Sequence, residues 1–217
     1  MRNKTSKPLY MLLLVCMAAA IGYELCKLFV FDPQLTHFLQ QKHKTESGRP
    51  LHVPLWLTVM NVHVAFACLA AVCGALGFSA ALRRRSQRFH KWNGFVYLAS
   101  VLLVSLTSGY MAPHATGGVP ASISFNLLSV LWPALTVTAL IKAVKQQQAA
   151  HRRWMIRSFV FCFTNAAIHL FTLLLGQATA LSYEDSYAIS VYAAAAVLLF
   201  AAELIIRYLQ TEKNAPA

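Results

Sequence analysis

Residues Pro54–Leu82, PLWLTVMNVHVAFACLAAVCGALGFSAAL, run past His63 without an Asp, Glu, Lys or Arg and end on the basic cluster 83–88, RRRSQR. As a helix rising about 1.5 Å per residue, such a run covers a hydrocarbon core of about 30 Å. It shows no period-two alternation, so a barrel strand is excluded and a helix is the remaining way to satisfy the backbone in lipid. Working outward, comparable runs occupy about Leu9–Phe31, Gly94–Ala112, Ile123–Ala143, Ser158–Leu181 and Tyr187–Tyr208. The chain reads as all-α, a six-span transmembrane bundle forming one membrane domain over residues 1–217.

Composition agrees, since 58% of residues are hydrophobic and 12% are charged, against about 25% charged in soluble domains. The net charge of +12 would suggest nucleic acid in a soluble chain. Here the basic residues lie in short clusters between apolar runs, so their expected partner is anionic lipid headgroups and not nucleic acid. Basic residues resist translocation, and they fall on one side: Arg2, Lys4 and Lys7, then Arg83 to Lys91, then Lys142 to Arg157, then Arg207 and Lys213. Both ends are therefore expected in the cytoplasm and the chain in the cell inner membrane. The opposite connections carry Lys42, Lys44 and Arg49, then no basic residue, then Glu184 and Asp185. A basic start before Leu9–Ala20 also suits a cleaved leader, but apolar character resumes through Leu28–Phe31, which favours a retained span with Glu24 and Lys27 paired at i, i+3. Cys16, Cys26, Cys68, Cys73 and Cys162 all lie in apolar runs and read as small hydrophobes, with no disulfide or metal assigned.

In lipid, small and polar residues turn toward other helices. Such stripes are Met60, His63, Ala67, Ala70 and Gly74 in span two, and Tyr97, Ser105, Ser108 and Ala112 in span three. Span four has Ser122, Asn126, Ser129, Pro133 and Thr136, and span five has Ser158, Cys162, Asn165, His169, Thr172 and Gly176. Spans two to five are expected to form a central four-helix core, with span six at the edge beside span one and Glu203 and Arg207 snorkelling together. Helix packing alone accounts for most such hydroxyls. Mid-membrane histidines ask for more, because an ionisable group there is costly.

His63 and His169 fall about 14 and about 18 Å from the same end by helical rise. Two imidazoles level across a helical core suit bis-histidine ligation of haem iron, with Asn61, Asn165 or Thr172 orienting the rings. His63 is the expected buried metal ligand, with His169, or else His114, as partner. His90 and His151, amid Arg84, Arg88, Arg152, Arg153 and Arg157, are expected to hold an anion, a headgroup or haem propionates at the basic end. The leading reading is a b-type haem electron-transfer protein, a possible component of a membrane oxidoreductase. The alternatives are a carrier with a polar path of Asn61, His63, Asn126, Asn165 and His169, or a non-catalytic assembly subunit. No hydrolase elbow, phosphate loop or dinucleotide turn is present.

HKWNGFVYLASVLLVSLTSGYMA (90–112), GGVPASISFNLLSVLW (117–132) and AHRRWMIRSF (150–159) together resemble the membrane family catalogued as domain of unknown function 2306, over about residues 55–175. The resemblance implies a multi-pass fold and supplies no reaction. It places motif positions on His63, His90, Gly94, Tyr97, Gly118, Phe125, Trp132, His151, Arg152, Trp154, Met155 and Arg157. Lys91 and His169 depart from the pattern, which moves weight from the His63–His169 pair toward His63, His90 and His151.

Overall fold

The computed structural model describes residues 6–26, 30 and 51–214. The helices are α1 (Ser6–Cys26), α2 (Val53–Phe78), α3 (Ala80–Arg85), α4 (Gln87–Met111), α5 (Gly118–Val144), α6 (Gln148–Phe159), α7 (Thr164–Ala178) and α8 (Tyr183–Asn214). Short 3-10 turns cover Ala112–His114 and Val160–Phe163, the second joining α6 to α7. Five segments are long and apolar enough to cross a membrane: Val53–Phe78, Gln87–His114, Gly118–Val144, Gln148–Ala178 and Tyr183–Thr211. The apolar part of α1 is shorter, Tyr10–Tyr23. The expected pairing of Glu24 with Lys27, and the loop bearing His37, His43, Lys42, Lys44 and Arg49, lie outside the described residues.

Local chemistry sets the boundaries. Span two was expected to continue to Leu82, but Ser79 takes an extended conformation and its hydroxyl accepts from Leu82 N (3.3 Å), so α2 stops and α3 begins. Ser86 repeats the device, accepting from Phe89 N (3.1 Å), and starts α4 seven residues before the expected Gly94. Gly117 holds the left-handed turn into α5 at φ 88°, and a Cβ there would meet Glu184 O at 2.9 Å.

The expected four-helix core is corrected by α8. The last helix packs along α7 and α5 and touches α6, burying Ala188, Val191, Ala194, Ala202 and Ile206. Its alanine run lets it approach closely, so it belongs to the core and not to the edge. α1 is the peripheral helix. It packs on α2, with Tyr10 OH donating to Ala75 O (3.2 Å) near one end of α2 and Tyr23 lying edge-on to His169 (ring centroids 6.2 Å) further along.

The core has two parts. One, toward the basic end, joins Cys73, Tyr97, Val101, Leu135, Ile156, Phe159 and Ile206. The other joins Ala115, Ala121, Ile168, Ala188, Val191 and Ala194 between α5, α7 and α8. On the α2 side of the second part the bundle is hollow.

Candidate functional site

His63 lies ten residues from the start of α2 and His169 nine from the end of α7. At helical rise these are depths of about 15 and about 14 Å, so the two rings are level. His63 Nδ1 lies 2.9 Å from Thr107 Oγ1 on α4. That hydroxyl has one hydrogen, directed at the carbonyls of Leu103 (2.7 Å) and Val104 (2.9 Å). Thr107 must therefore accept from His63 Nδ1–H, and the neutral ring carries its lone pair on Nε2. The expected orienting groups were Asn61, Asn165 and Thr172. Thr107 takes the role instead, and nothing in a single sequence separates it from the other membrane hydroxyls.

His63 and His169 line one cavity of about 690 Å³. α2 packs on α4, and α7 packs on α8, so the two histidine-bearing helices face each other across this space without an extensive packed interface. Trp56, Met60, Phe125, Leu128, Trp132 and Phe161 give it apolar walls, and Met17, Ala20, Ile21 and Tyr23 of α1 form one side. Ser105 Oγ, on a lining residue, is buried without a hydrogen-bond partner, and the Trp132 side chain neighbours the Tyr97 hydroxyl. No Lys, Arg, Asp or Glu lines it among the described residues. A mostly apolar chamber with a few convergent polar atoms is the usual form of a small-molecule site, typically about 300–1,000 Å³.

Toward the basic end α2 packs on the 3-10 turn Val160–Phe163 that follows α6. A Cβ on residue 74 would enter the ring of Phe159 and come within 3.1 Å of Tyr97, so this seat for the Phe159 ring requires Gly74. Nearby, Tyr97 OH and Ser158 Oγ are 2.7 Å apart, as are Ser158 Oγ and Thr136 Oγ1, while Thr136 donates to Trp132 O (2.9 Å). With one hydrogen per hydroxyl, the chain has one direction: Tyr97 donates to Ser158, Ser158 to Thr136 and Thr136 to the carbonyl. It ends on backbone and ties α4, α6 and α5 together.

A profile of the family described as Predicted membrane protein (DUF2306) matches residues 60–206. The chain belongs to that family. The match runs past the expected limit near residue 175 and takes in most of α8, consistent with the core position of that helix. No curated protein and no solved structure matches the chain. Of the residues that carried the resemblance, His63, Phe125 and Trp132 line the cavity of this DUF2306 chain and Tyr97 heads the hydroxyl chain.

Other expected site residues lie elsewhere. His114 is in the turn after α4 and does not line the cavity. His90 and His151 are also absent from its lining, so the expected propionate shell lies toward the other end of the bundle. His151 Nδ1–H donates to Ala139 O (2.8 Å), and His90 is within electrostatic reach of His151 and Arg83. Arg84 and Arg88 are exposed. Glu203 pairs with Arg157 of α6, through Nε (2.5 Å) and Nη2 (3.1 Å), in place of the expected pairing with Arg207. The guanidinium of Arg157 also lies 4.8 Å from the Trp154 ring centroid. Asn61 and Asn126 are exposed and outside the cavity, and Asn126 donates to Ser122 O. The expected carrier path thus keeps only His63, Asn165 and His169 on a common surface. Among the described residues no group of three or more His, Cys, Asp or Glu is arranged for a metal ion.

Proposed function

We propose that this chain is a membrane-embedded binding protein whose cavity between α2 and α7 holds a largely apolar, planar molecule. The molecule we assign is b-type haem, which His63 and His169 would hold and which would supply electron transfer within the membrane. The supporting observation is the Thr107 contact. An imidazole held through Nδ1–H and offering Nε2 is how proteins present histidine to a metal. The level depths and the volume of about 690 Å³ suit the same occupant. Its propionates would meet the hydroxyls of Thr116, Tyr183 and Tyr187, which line the cavity, in place of His90, His151 and the arginines. The carrier reading is disfavoured by the crossing of Phe159 on Gly74, which sets tight packing between the cavity and the basic end.

The visible spectrum of protein purified after expression with added haem tests this reading. The expected result is a Soret band that His63→Ala removes and His90→Ala retains. Thr107→Val should weaken haem binding by about 10–100-fold, the usual effect of losing an outer-shell partner. A colourless wild-type protein would exclude haem and leave the cavity to another apolar ring.

The orientation we infer has both termini in the cytoplasm, the basic ends facing inward across the cell inner membrane and α1 as a sixth span. Its support is the recurrence of basic residues at one end of each pair of helices, and the contacts of α1, Tyr10 with Ala75 of α2 and Tyr23 with His169 of α7. A reporter active only in the cytoplasm, fused after residue 217, is expected to be active.

A further inference from the structure

At the basic end a second cleft, of about 510 Å³, lies between α6 and α8. Its floor is apolar, formed by Ala149, Ile156, Ile206 and Leu209, and its polar lining is Arg152, Arg153 and Gln210. About one turn deeper along α6, Arg157 is already neutralised by Glu203. Arg152 and Arg153 have no carboxylate in salt-bridge reach among the described residues. The chain thus satisfies its deeper guanidinium internally and leaves the two shallower ones unpaired above an apolar floor.

That order, apolar surface below and unneutralised guanidinium above, follows the order of groups in a phospholipid along the membrane normal. We propose that the cleft binds one anionic phospholipid, its phosphate held by Arg152 and Arg153, its headgroup by the Gln210 amide, and its acyl chain against Ile206 and Leu209. Guanidinium is suited to the role because it meets phosphate through paired, charge-assisted hydrogen bonds. The expectation that five arginines share an anion site is narrowed to two, since Arg157 is consumed by Glu203 and Arg84 and Arg88 belong to a different, exposed surface. The site is independent of any occupant of the cavity beside His63.

The full chain, purified in a neutral detergent, is titrated with phosphatidylglycerol, phosphatidylcholine or inorganic phosphate. Bound lipid is counted by native mass spectrometry, and thermal unfolding is followed in parallel. Phosphatidylglycerol is expected to bind one molecule per chain in this site and raise the unfolding temperature, whereas phosphatidylcholine and inorganic phosphate do neither. Arg152→Gln with Arg153→Gln should lower phosphatidylglycerol affinity about tenfold or more, as the loss of charge-assisted contacts requires. Arg84→Gln with Arg88→Gln, an equal change of net charge, should change it by less than about twofold. The pair Arg152→Lys and Arg153→Lys retains both charges and tests the guanidinium geometry even if the glutamine pair does not fold, and its expected loss is about threefold or more. Equal losses in the two glutamine pairs, equal binding of the two lipids, unchanged affinity in the lysine pair, or a full effect from inorganic phosphate would each overturn the proposal.

Discussion

At the basic end of the bundle the Phe159 ring fills the space over Gly74, and Tyr97, Ser158 and Thr136 close a directed chain of hydrogen bonds. Toward the other end α2 and α7 stand apart around a cavity, and Ser105 Oγ, on a lining residue, is buried without a hydrogen bond. Both regions use hydroxyls and aromatics in apolar helices. They differ in how the space is filled: the Phe159 ring occupies that over Gly74, whereas the space beside His63 is left open. In lipid no solvent drives helices together, so close approach rests on packing and on satisfied polar groups. Gly74 permits both at its level. Around His63 the cavity walls include Trp56 and Met60 of α2 and Phe161 of the 3-10 turn.

The largest expected effect comes from filling the tight end. Gly74→Leu drives a side chain into Phe159 and Tyr97, and should cost about 3 kcal/mol, at the upper end of overpacking effects. Thermal unfolding in detergent measures it, and Phe159→Ala in the Gly74→Leu background should recover part of the loss. A Gly74→Leu protein as stable as wild type would mean that the Phe159 ring does not pack on residue 74. Next comes Ser158→Ala, which removes the 2.7 Å partner of the buried Tyr97 hydroxyl and should cost about 1 kcal/mol, the scale of a hydrogen bond between membrane helices. Restoring most of it with Tyr97→Phe on top of Ser158→Ala would show that the two residues act as a pair. The smallest effect is expected at the hollow end. Ser105→Ala breaks no hydrogen bond made by its side chain, so unliganded stability should move by less than about 0.5 kcal/mol. A loss there as large as that of Ser158→Ala would erase the distinction between the two ends.

How far the sequence reaches can be seen residue by residue. Pro54–Leu82 shows a membrane helix without further help, because twenty apolar residues have few other stable forms in lipid. It does not show that Ser79 ends that helix early, since a serine caps only where the backbone turns extended. His63 and His169 could be singled out by cost and depth, and both do line one interior. Their separation by a hollow, and Thr107 as the partner of His63, are matters of helix placement. Glu203 shows the same limit: i, i+4 spacing offered Arg207, and the fold supplied Arg157 from another helix.

Composition and hydropathy by themselves determined that the chain lives in a bilayer, which segments are helical and which end carries the positive charge, because each depends on the transfer of short segments between water and lipid. Tertiary structure alone decided that α8 joins the core, that the helices bearing the two histidines part around a cavity, and which arginines remain unpaired. Those outcomes depend on contacts between residues distant in the chain, and in lipid such contacts are set by the shape of side chains at each crossing, a property that hydropathy does not record.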